Sequence, residues 1–327
     1  MPADEVVRAA EVLRAAPVVA IACHVNPDAD ALGSSFGLAH HLAARGTEVV
    51  CGFPNEPLDV PRWVAELPGR GFLVPVDRFP AAPDVMVTCD CAAFDRLGVL
   101  GAAADAAREL LWIDHHRSND GRGTIRIVDP DASSTCELVA GLVDAIGGEM
   151  TDATAMCLYA GLITDTGRFQ YEAATPATLR LAARLREHPF DHTRLAQALY
   201  ENNRAAYLEV LGIAMERARF EPAADLVWTY VLWSDLEQAG AGPGDVDDLI
   251  DALRATGEAD TAVLVKQQRD GLFKVSARSR GARDLSVLAA AFGGGGHRLA
   301  AGYTSEVGPA QTIERLRTSM AGAAAPA

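Results

Sequence analysis

Short apolar runs that end abruptly in polar residues organise the first part of the chain. Residues 18–23, 84–88 and 110–113 are runs of this kind, and their continuous apolar character predicts strands buried on both faces. Helical spacing of apolar residues over 31–44 separates the first run from another predicted strand at 47–53. This strand–helix–strand order predicts a parallel sheet that binds its ligand at the carboxyl ends of the strands.

Predicted helices alternate with these strands and then continue beyond them. The apolar spacing predicts helices over residues 3–15, 133–146, 152–163 and 175–187. The charge-rich stretch 191–220 is also mostly helical in its spacing. Because it lies between two regions of different pattern, we interpret it as part of a connector between domains.

The remainder of the chain has the pattern of a smaller mixed domain. Strands are predicted over 226–233, 261–267 and 272–277, and helices over 243–253, over 284–292 and from 309 onward. The turn Arg269-Asp270-Gly271 between two of these strands indicates a hairpin. The predicted fold class is therefore α/β, with a parallel-sheet domain and flanking helices over 1–188, a helical connector over 189–223 and a smaller α/β domain over 224–327.

Composition favours a protein of the cytoplasm. Of the 327 residues 49% are hydrophobic, which is enough to bury a sizeable core. No apolar run reaches the ~18 residues of a transmembrane helix, and the acidic start Met1-Pro2-Ala3-Asp4-Glu5 lacks the order of a signal peptide. The six cysteines show no paired metal-binding spacing, so we expect free, buried thiols in a reducing compartment. These features predict a cytoplasmic protein without a membrane partner.

Net charge restricts the kind of anionic ligand that the chain can bind. With 29 basic and 44 acidic residues, its formal charge is −15. A chain this acidic lacks the broad basic surface that binds long nucleic acids. A nucleotide ligand would therefore need local positive charge, supplied by bound metal ions and a few arginines.

Acidic and imidazole side chains follow the predicted strands and helices of the first domain. They are His24, Asp28, Asp30, Asp90, Asp114, His115, His116 and Asp165. The ends of parallel strands lie along one sheet edge, so the loops that carry these residues should converge. Each residue alone could be a helix cap or a solvated surface group, but carboxylates brought together need protons or cations between them. Oxygen ligands mixed with imidazole suit Mn²⁺ or Mg²⁺ better than a thiolate zinc site.

Five stretches resemble, in order along the chain, the motifs of one group of enzymes. They are His24-Val25-Asn26-Pro27-Asp28-Ala29-Asp30-Ala31-Leu32-Gly33-Ser34, Val87-Thr88-Cys89-Asp90, Asp114-His115-His116, Leu162-Ile163-Thr164-Asp165-Thr166-Gly167-Arg168-Phe169 and Gly293-Gly294-Gly295-Gly296-His297-Arg298-Leu299-Ala300-Ala301-Gly302. The first four resemble motifs of the DHH phosphoesterase superfamily, and the fifth is similar to the glycine-rich motif of the DHHA1 domain. Within that superfamily the chain resembles the stand-alone small-oligonucleotide phosphodiesterases, or nano-RNases, that also act on adenosine 3′,5′-bisphosphate.

This resemblance implies a hydrolase with two divalent cations, Mn²⁺ in preference to Mg²⁺, and an active site in the interdomain cleft. The implied ligands of one cation are His24, Asp28 and Asp90. Those of the other are Asp30, Asp90, His115 and Asp165, so that Asp90 bridges both. The family pattern further implies that His116 is a catalytic residue facing the substrate and that Asp114 supports it.

Further residues are implied to contact the substrate. They are Arg278, Gly294, Gly295, Gly296 and His297 in the second domain and Arg168 after the fourth motif. Arg278 lies where the family holds a terminal phosphate, and the glycines would allow close backbone approach. For Arg168, a structural ion pair remains an alternative to a phosphate contact.

The implied activity has two parts, with alternatives left open. The enzyme would degrade short oligoribonucleotides to mononucleotides and would convert adenosine 3′,5′-bisphosphate to AMP. A phosphodiesterase of cyclic dinucleotides, or of linear dinucleotides, is an alternative within the same superfamily. A nucleotide-sensing binding module that kept the fold is the non-enzyme alternative. The sequence does not rank the substrates, and it leaves a homodimer open.

Overall fold

The structure is a computed structural model, and it describes residues 2–322. The described residues form two compact units, and the boundary between them lies at Asn202 and Asn203. Among these residues, no helix is both long enough and apolar enough to span a bilayer. Each unit has its own sheet and its own apolar core.

The first unit alternates strands and helices, as the sequence predicts. Its strands are β1 (Val18–Cys23), β2 (Glu48–Gly52), β3 (Val85–Cys89), β4 (Glu109–Asp114) and β5 (Ile125–Val128). Its helices are α1 (Ala3–Ala15), α2 (Ala29–Ala44), α3 (Gly101–Ala106), α4 (Thr135–Ile146), α5 (Asp152–Asp165), α6 (Pro176–Leu185) and α7 (His192–Tyr200). The predicted helices and apolar strands of this region are all present, and only their ends differ by a few residues.

The five strands form one fully parallel sheet in the order β2-β1-β3-β4-β5. The prediction of a parallel-sheet α/β domain is therefore confirmed. The order places β1, β3 and β4 side by side, so their carboxyl ends meet at one edge. The edge strand β5 is not among the predicted strands, because only two of its four residues, Ile125 and Ile127, are buried.

Both faces of this sheet are covered, which explains the uninterrupted apolar runs of its central strands. Val19 and Ile21 of β1 join the core beneath the helices α1, α2, α4 and α5, whereas Ala20 and Ala22 point to the opposite face. On that second face they pack with the buried Trp112 and the segment around α3. The alternation follows the two-residue period of a strand.

Glycines bring α2 and α5 unusually close together. A Cβ added at Gly33 of α2 would lie 2.5 Å from the carbonyl oxygen of Cys157 in α5. A Cβ at Gly161 of α5 would lie 2.7 Å from a carboxylate oxygen of Asp30 in α2. No real side chain tolerates such distances, so both glycines are required by packing. This contact presses the first turn of α2, which carries Asp30, against the last turns of α5.

The second unit is a mixed α/β sheet structure. Its strands are β6 (Arg219–Glu221), β7 (Leu226–Val231), β8 (Thr261–Gln267), β9 (Phe273–Ser279), β10 (Gly295–His297) and β11 (Ala300–Ser305). Its helices are α8 (Ala205–Glu216), α9 (Trp233–Ala239), α10 (Leu249–Arg254), α11 (Leu285–Ala290) and α12 (Pro309–Gly322). The sheet order is β10-β11-β9-β8-β7-β6, in which only the β7–β8 pair is parallel.

The predicted hairpin is confirmed, since β8 and β9 pair antiparallel on either side of residues 269–271. Other details of the second unit differ from the prediction. The strand expected to reach residue 233 ends at Val231, because the Asp235 carboxylate accepts a hydrogen bond from the N–H of Leu232 (2.7 Å) and caps α9. The glycine-rich segment, in which no strand is predicted, includes β10.

The helical stretch interpreted as a connector forms two separate helices, α7 and α8. The boundary between the units falls in the short segment between these helices, so one helix belongs to each unit. The limits of a functional connector over 189–223 remain a prediction.

We expect Gly33→Ala to destabilise the first unit by about 1–3 kcal/mol, because the added methyl group must displace the backbone of α5. The measurement is the free energy of unfolding from urea titration. The matched control is Gly212→Ala in α8, where an added Cβ meets no atom within 4 Å. Removing a helical glycine there should stabilise the protein by up to about 1 kcal/mol. Equal effects of the two substitutions would contradict the packing argument.

Candidate metal centre and active site

Residues that follow the strands of the first unit meet residues of helices α2 and α5 at the carboxyl ends of the strands. His24 directly follows β1, Asp90 directly follows β3 and His115 directly follows β4. Asp30 comes from the first turn of α2, and Asp165 is the last residue of α5. The structure therefore brings together the chain regions that the sequence predicts to converge.

The side chains of this cluster form two groups of possible metal ligands, and Asp90 is close to residues of both. In the first group, donor atoms of His24, Asp28 and Asp90 lie within 4.8 Å of one another, and in the second, those of Asp30, His115 and Asp165 do so. Asp90 belongs to the first group and also lies beside the second. One of its carboxylate oxygens is 3.5 Å from Nε2 of His24 and the other is 3.7 Å from Nε2 of His115.

Backbone geometry fixes the position of the Asp90 carboxylate. This residue has a left-handed φ of 60°, which is uncommon for a residue with a side chain and turns the chain sharply at the end of β3. Its N–H donates to the carbonyl of Ile113 (2.9 Å), and its Oδ1 accepts from the hydroxyl of Thr135 (2.9 Å). The carboxylate is thus buried and held from two sides.

The Asp30 carboxylate is bound by the beginning of helix α4. Its oxygens accept hydrogen bonds from the backbone N–H groups of Thr135 (2.6 Å) and Cys136 (2.9 Å). These are N–H groups of a first helical turn, which have no partner within the helix and carry its positive dipole end. Burial, followed by the negative charges of Asp90 and Asp165, nevertheless raises the pKa of Asp30 well above its usual value.

The pKa values of these groups depend on their burial and on one another's charges. Burial opposes ionisation of Asp90, but the hydrogen bond from His24 and the charges of the nearby histidines outweigh it and lower the pKa of Asp90. Burial also lowers the pKa of His115, and the surrounding carboxylates more than compensate and raise it to about 9. Burial raises the pKa of Asp165 to about 6. These opposing shifts show that the buried carboxylates favour positive charge among them, which a bound cation would supply.

The donor set fits divalent metal ions. It offers carboxylate oxygens and imidazole nitrogens at close range, and all six cysteines are buried outside it. Hard oxygen ligands with some nitrogen are typical of Mn²⁺ and Mg²⁺ sites. Ligands must lose their protons to bind a metal, so binding at this site would release protons and relieve carboxylate repulsion.

A second constellation lies beside these groups and contains the remaining two residues of the DHH tripeptide. Nδ1 of His116 lies 2.7 Å from Oδ1 of the fully buried Asp114. The other carboxylate oxygen of Asp114 accepts a hydrogen bond from the Asn119 amide (2.6 Å). Burial lowers the pKa of His116, but its hydrogen bond to Asp114 and nearby negative charge raise it to about 9. His116 is therefore oriented through one nitrogen, and the Asp114 carboxylate favours its charged form.

Sequence patterns did not reveal several groups that shape this site. Thr135 and the N–H of Cys136 contact two predicted ligands, and Asn119 holds Asp114. Arg96 places a guanidinium nitrogen 2.9 Å from Nδ1 of His24. The only signal available for Thr135 was its place in the Ser-Ser-Thr start of a helix, and Arg96 has none because the residues around it show no clear hydrophobic periodicity.

Arg168 contacts an aromatic side chain of its own unit. Its guanidinium lies 4.0 Å above the centre of the Tyr200 ring, a cation–π arrangement. Its backbone has a left-handed φ of 61°, and its N–H donates to the carbonyl of Ile163 (2.8 Å). The structure places Arg168 just after Asp165, and its contact with phosphate remains a prediction.

In the second unit, the predicted substrate residues lie on neighbouring strands. Arg278 of β9 is half-buried and donates a hydrogen bond to the carbonyl of Ala277 (3.1 Å). His297 of β10 pairs with Ala300 of β11, and Ala300 in turn pairs with Arg278. Arg278 and His297 are thus brought to one end of three adjacent strands.

The three predicted glycines of this region differ from one another. A Cβ at Gly294 or Gly296 would lie within 2.5 Å of a β11 carbonyl oxygen, so both are required by packing of their own hairpin. Gly295 is exposed, and a Cβ there would meet no atom within 4 Å. Among the three, only Gly295 has open space through which a ligand could approach the backbone.

Substitution of Asp90 by Asn should remove metal binding and leave the fold intact. Asn is isosteric and tolerates the left-handed φ, but it lacks the charge shared by both groups. We expect Mn²⁺ affinity, measured by titration calorimetry, to fall by about 100-fold or more. The metal-free protein should still fold, but its thermal midpoint should fall somewhat, because the lowered pKa of Asp90 means that its charge, paired with the nearby histidines, stabilises the folded state. Asp105→Asn, on an exposed position of α3, is the control with the same charge change. Near-normal Mn²⁺ affinity in Asp90→Asn would refute the shared position of this carboxylate.

Known proteins share both units of the chain. Residues 18–162 match the DHH family, N-terminal domain, and residues 226–323 match the DHHA1 domain. The bifunctional oligoribonuclease and PAP phosphatase NrnA of Thermus thermophilus is 34% identical over 90% of this chain and 86% of its own length. The protein of the same name from Bacillus subtilis is 29% identical over 85% of this chain and 86% of its own length. A crystal structure of an exopolyphosphatase-related protein from Bacteroides fragilis superposes with a TM-score of 0.89, at 23% identity, covering 98% of this chain and 96% of that one. The chain belongs to the DHH family of phosphoesterases and carries a C-terminal DHHA1 domain.

Proposed function

We propose that this protein is a metal-dependent phosphoesterase that degrades short oligoribonucleotides to mononucleotides and converts adenosine 3′,5′-bisphosphate to AMP. The observation that carries the proposal is the pair of donor groups at the carboxyl ends of the strands, with Asp90 in the first group and next to His115 of the second. The two NrnA relatives are named for these activities and match most of the chain. Membership of a phosphoesterase family supports the reaction class, and the relatives support the substrate class.

We further propose two divalent cations per chain, with Mn²⁺ preferred over Mg²⁺. His24, Asp28 and Asp90 would hold one, and Asp30, Asp90, His115 and Asp165 the other. The four carboxylates match the four positive charges of two such ions, which supports this number. Bound metal at this position supplies the positive charge that attracts phosphate and lowers the pKa of a water molecule.

Groups of the chain itself would then act on the phosphate. His116, charged and oriented by Asp114, donates a hydrogen bond to a phosphate oxygen and stabilises negative charge that develops during hydrolysis. Asp114 keeps the imidazole in place, and Asn119 keeps Asp114 in place. Arg278, His297 and Gly295 are proposed to contact the remainder of the substrate, together with Arg168, Gly294 and Gly296. A short ligand suits a chain whose positive charge is local rather than spread over a surface.

A panel of phosphoesters tests the proposal and its alternatives. We expect Mn²⁺-dependent hydrolysis of adenosine 3′,5′-bisphosphate and of RNAs of about two to five nucleotides, and loss of both activities with excess chelator. Cyclic and linear dinucleotides belong in the same panel, with products separated by chromatography. Faster turnover of a cyclic dinucleotide than of short RNA would favour the phosphodiesterase alternative. Binding of nucleotides without turnover of any substrate would favour a nucleotide-sensing module and would contradict the proposal.

Asp114→Asn tests the role of His116. The amide offers one donor side and one acceptor side, so it cannot accept hydrogen bonds from both His116 and Asn119. We expect kcat to fall by about 100-fold, while Mn²⁺ affinity stays close to that of the unsubstituted protein. Asp131→Asn is the control, because that side chain is 87% exposed and pairs only with Arg117 at the surface among the contacts of the described residues. Unchanged kcat in Asp114→Asn would contradict the orienting role.

A further inference from the structure

One arginine lies beside the metal centre without belonging to it. Arg96 is in the short helical segment Phe94–Leu100 that follows β3, and its side chain is exposed. A guanidinium nitrogen lies 2.9 Å from Nδ1 of His24 and 3.3 Å from the carbonyl oxygen of Val25. The backbone joins the same segments, since the Val25 N–H donates to the Arg96 carbonyl (3.0 Å). The strand-end loop that carries His24 therefore holds this cation in place.

The contact between Arg96 and His24 competes with a second contact of the same imidazole nitrogen. Nδ1 of His24 also lies 2.8 Å from the Val25 carbonyl oxygen. An imidazole nitrogen either donates or accepts, so it serves the carbonyl or the guanidinium but not both. A histidine that binds metal through one nitrogen usually donates from the other to a carbonyl or carboxylate. In that arrangement Arg96 loses its contact with His24 and keeps only the longer contact with the carbonyl.

Neighbouring arginines differ from Arg96 because they have partners away from the site. Arg117 pairs with Asp131 (3.2 Å), and Arg122 lies 4.4 Å above the Phe94 ring. For Arg96, no carboxylate oxygen of residues 2–322 lies within salt-bridge distance. Its charge is therefore not neutralised by an ion pair, although the groups nearby are predominantly acidic.

We propose that Arg96 binds a phosphate oxygen of the substrate next to His24. The proposal rests on the proposed function and adds a substrate-binding residue to it. A guanidinium stays charged at all relevant pH values, and its planar fork matches two phosphate oxygens. An arginine at this position also supplies local positive charge, which a chain of net charge −15 needs in order to bind a nucleotide.

Three variants of the full chain test this role: Arg96→Ala, Arg96→Lys and Arg108→Ala. Arg108 is the control, because its side chain is 74% exposed and pairs with Asp84 (3.4 Å) at the amino-terminal ends of β3 and β4. Each variant is loaded with Mn²⁺, and three quantities are measured: Mn²⁺ affinity, Mn²⁺-dependent affinity for inorganic phosphate, and kcat/KM for adenosine 3′,5′-bisphosphate. For Arg96→Ala we expect phosphate affinity and kcat/KM to fall by about tenfold or more, with Mn²⁺ affinity within about twofold of the unsubstituted protein. Arg96→Lys should be intermediate, and Arg108→Ala should be unchanged.

Other outcomes separate the possible failures. Equal phosphate affinity in the unsubstituted protein and in Arg96→Ala overturns the role of Arg96. Weakened Mn²⁺ binding in Arg96→Ala, with full activity restored at saturating Mn²⁺, also overturns it, because the arginine would then only position His24. If the unsubstituted protein binds phosphate but hydrolyses no phosphoester, the proposed function fails, and the phosphate affinities still decide the role of Arg96. If it neither binds phosphate nor hydrolyses any phosphoester with Mn²⁺ present, both proposals fail; if it hydrolyses the bisphosphate without measurable affinity for phosphate, and Arg96→Ala keeps the full kcat/KM, only the role of Arg96 fails.

Discussion

The structure of the first unit has to accommodate repulsion among buried carboxylates. Asp30 and Asp90 are almost completely buried, and Asp165 lies close to both through His115. Such a cluster is unfavourable by itself, because burial removes the water that would separate the charges. The fold tolerates it through fixed dipoles: the start of α4 binds Asp30, and the Thr135 hydroxyl binds Asp90. These contacts orient the carboxylates without neutralising them, so the need for positive charge remains.

The same arrangement explains how an acidic protein can act on an acidic substrate. Phosphate would be repelled by the carboxylates alone and attracted once metal charge is bound among them. His116 and Arg96 add positive groups at the border of the cluster, each held by a neighbour rather than by an opposing surface charge. Substrate affinity is therefore expected to depend on metal loading more than on the overall charge of the protein.

Much of this organisation could be predicted from sequence because it follows from strong local patterns. The apolar runs before His24, Asp90 and Asp114 identified three adjacent strands, and the topology of parallel sheets then implied convergence of their loops. Weaker patterns were missed. Strand β5 is short and lies at the edge, and β10 consists of two glycines and a histidine, a composition that normally indicates a loop. The contacts of Thr135 and Arg96 join residues 45 and 72 positions apart, and no local periodicity encodes such pairs.

The proposed metal ligands come from two layers of the first unit, the sheet and the helices above it. This arrangement affects how the unit can move. His24, Asp90 and His115 directly follow strands of the sheet, whereas Asp30 and Asp165 belong to α2 and α5, which are packed together through Gly33 and Gly161. The cation proposed for Asp30, Asp90, His115 and Asp165 would tie the helical layer to the sheet as a cross-link does. Any fluctuation that lifts α5 from the sheet would then have to break metal coordination as well as apolar contacts. Bound metal would thus raise the cooperativity with which the sheet and the helical layer of this unit unfold.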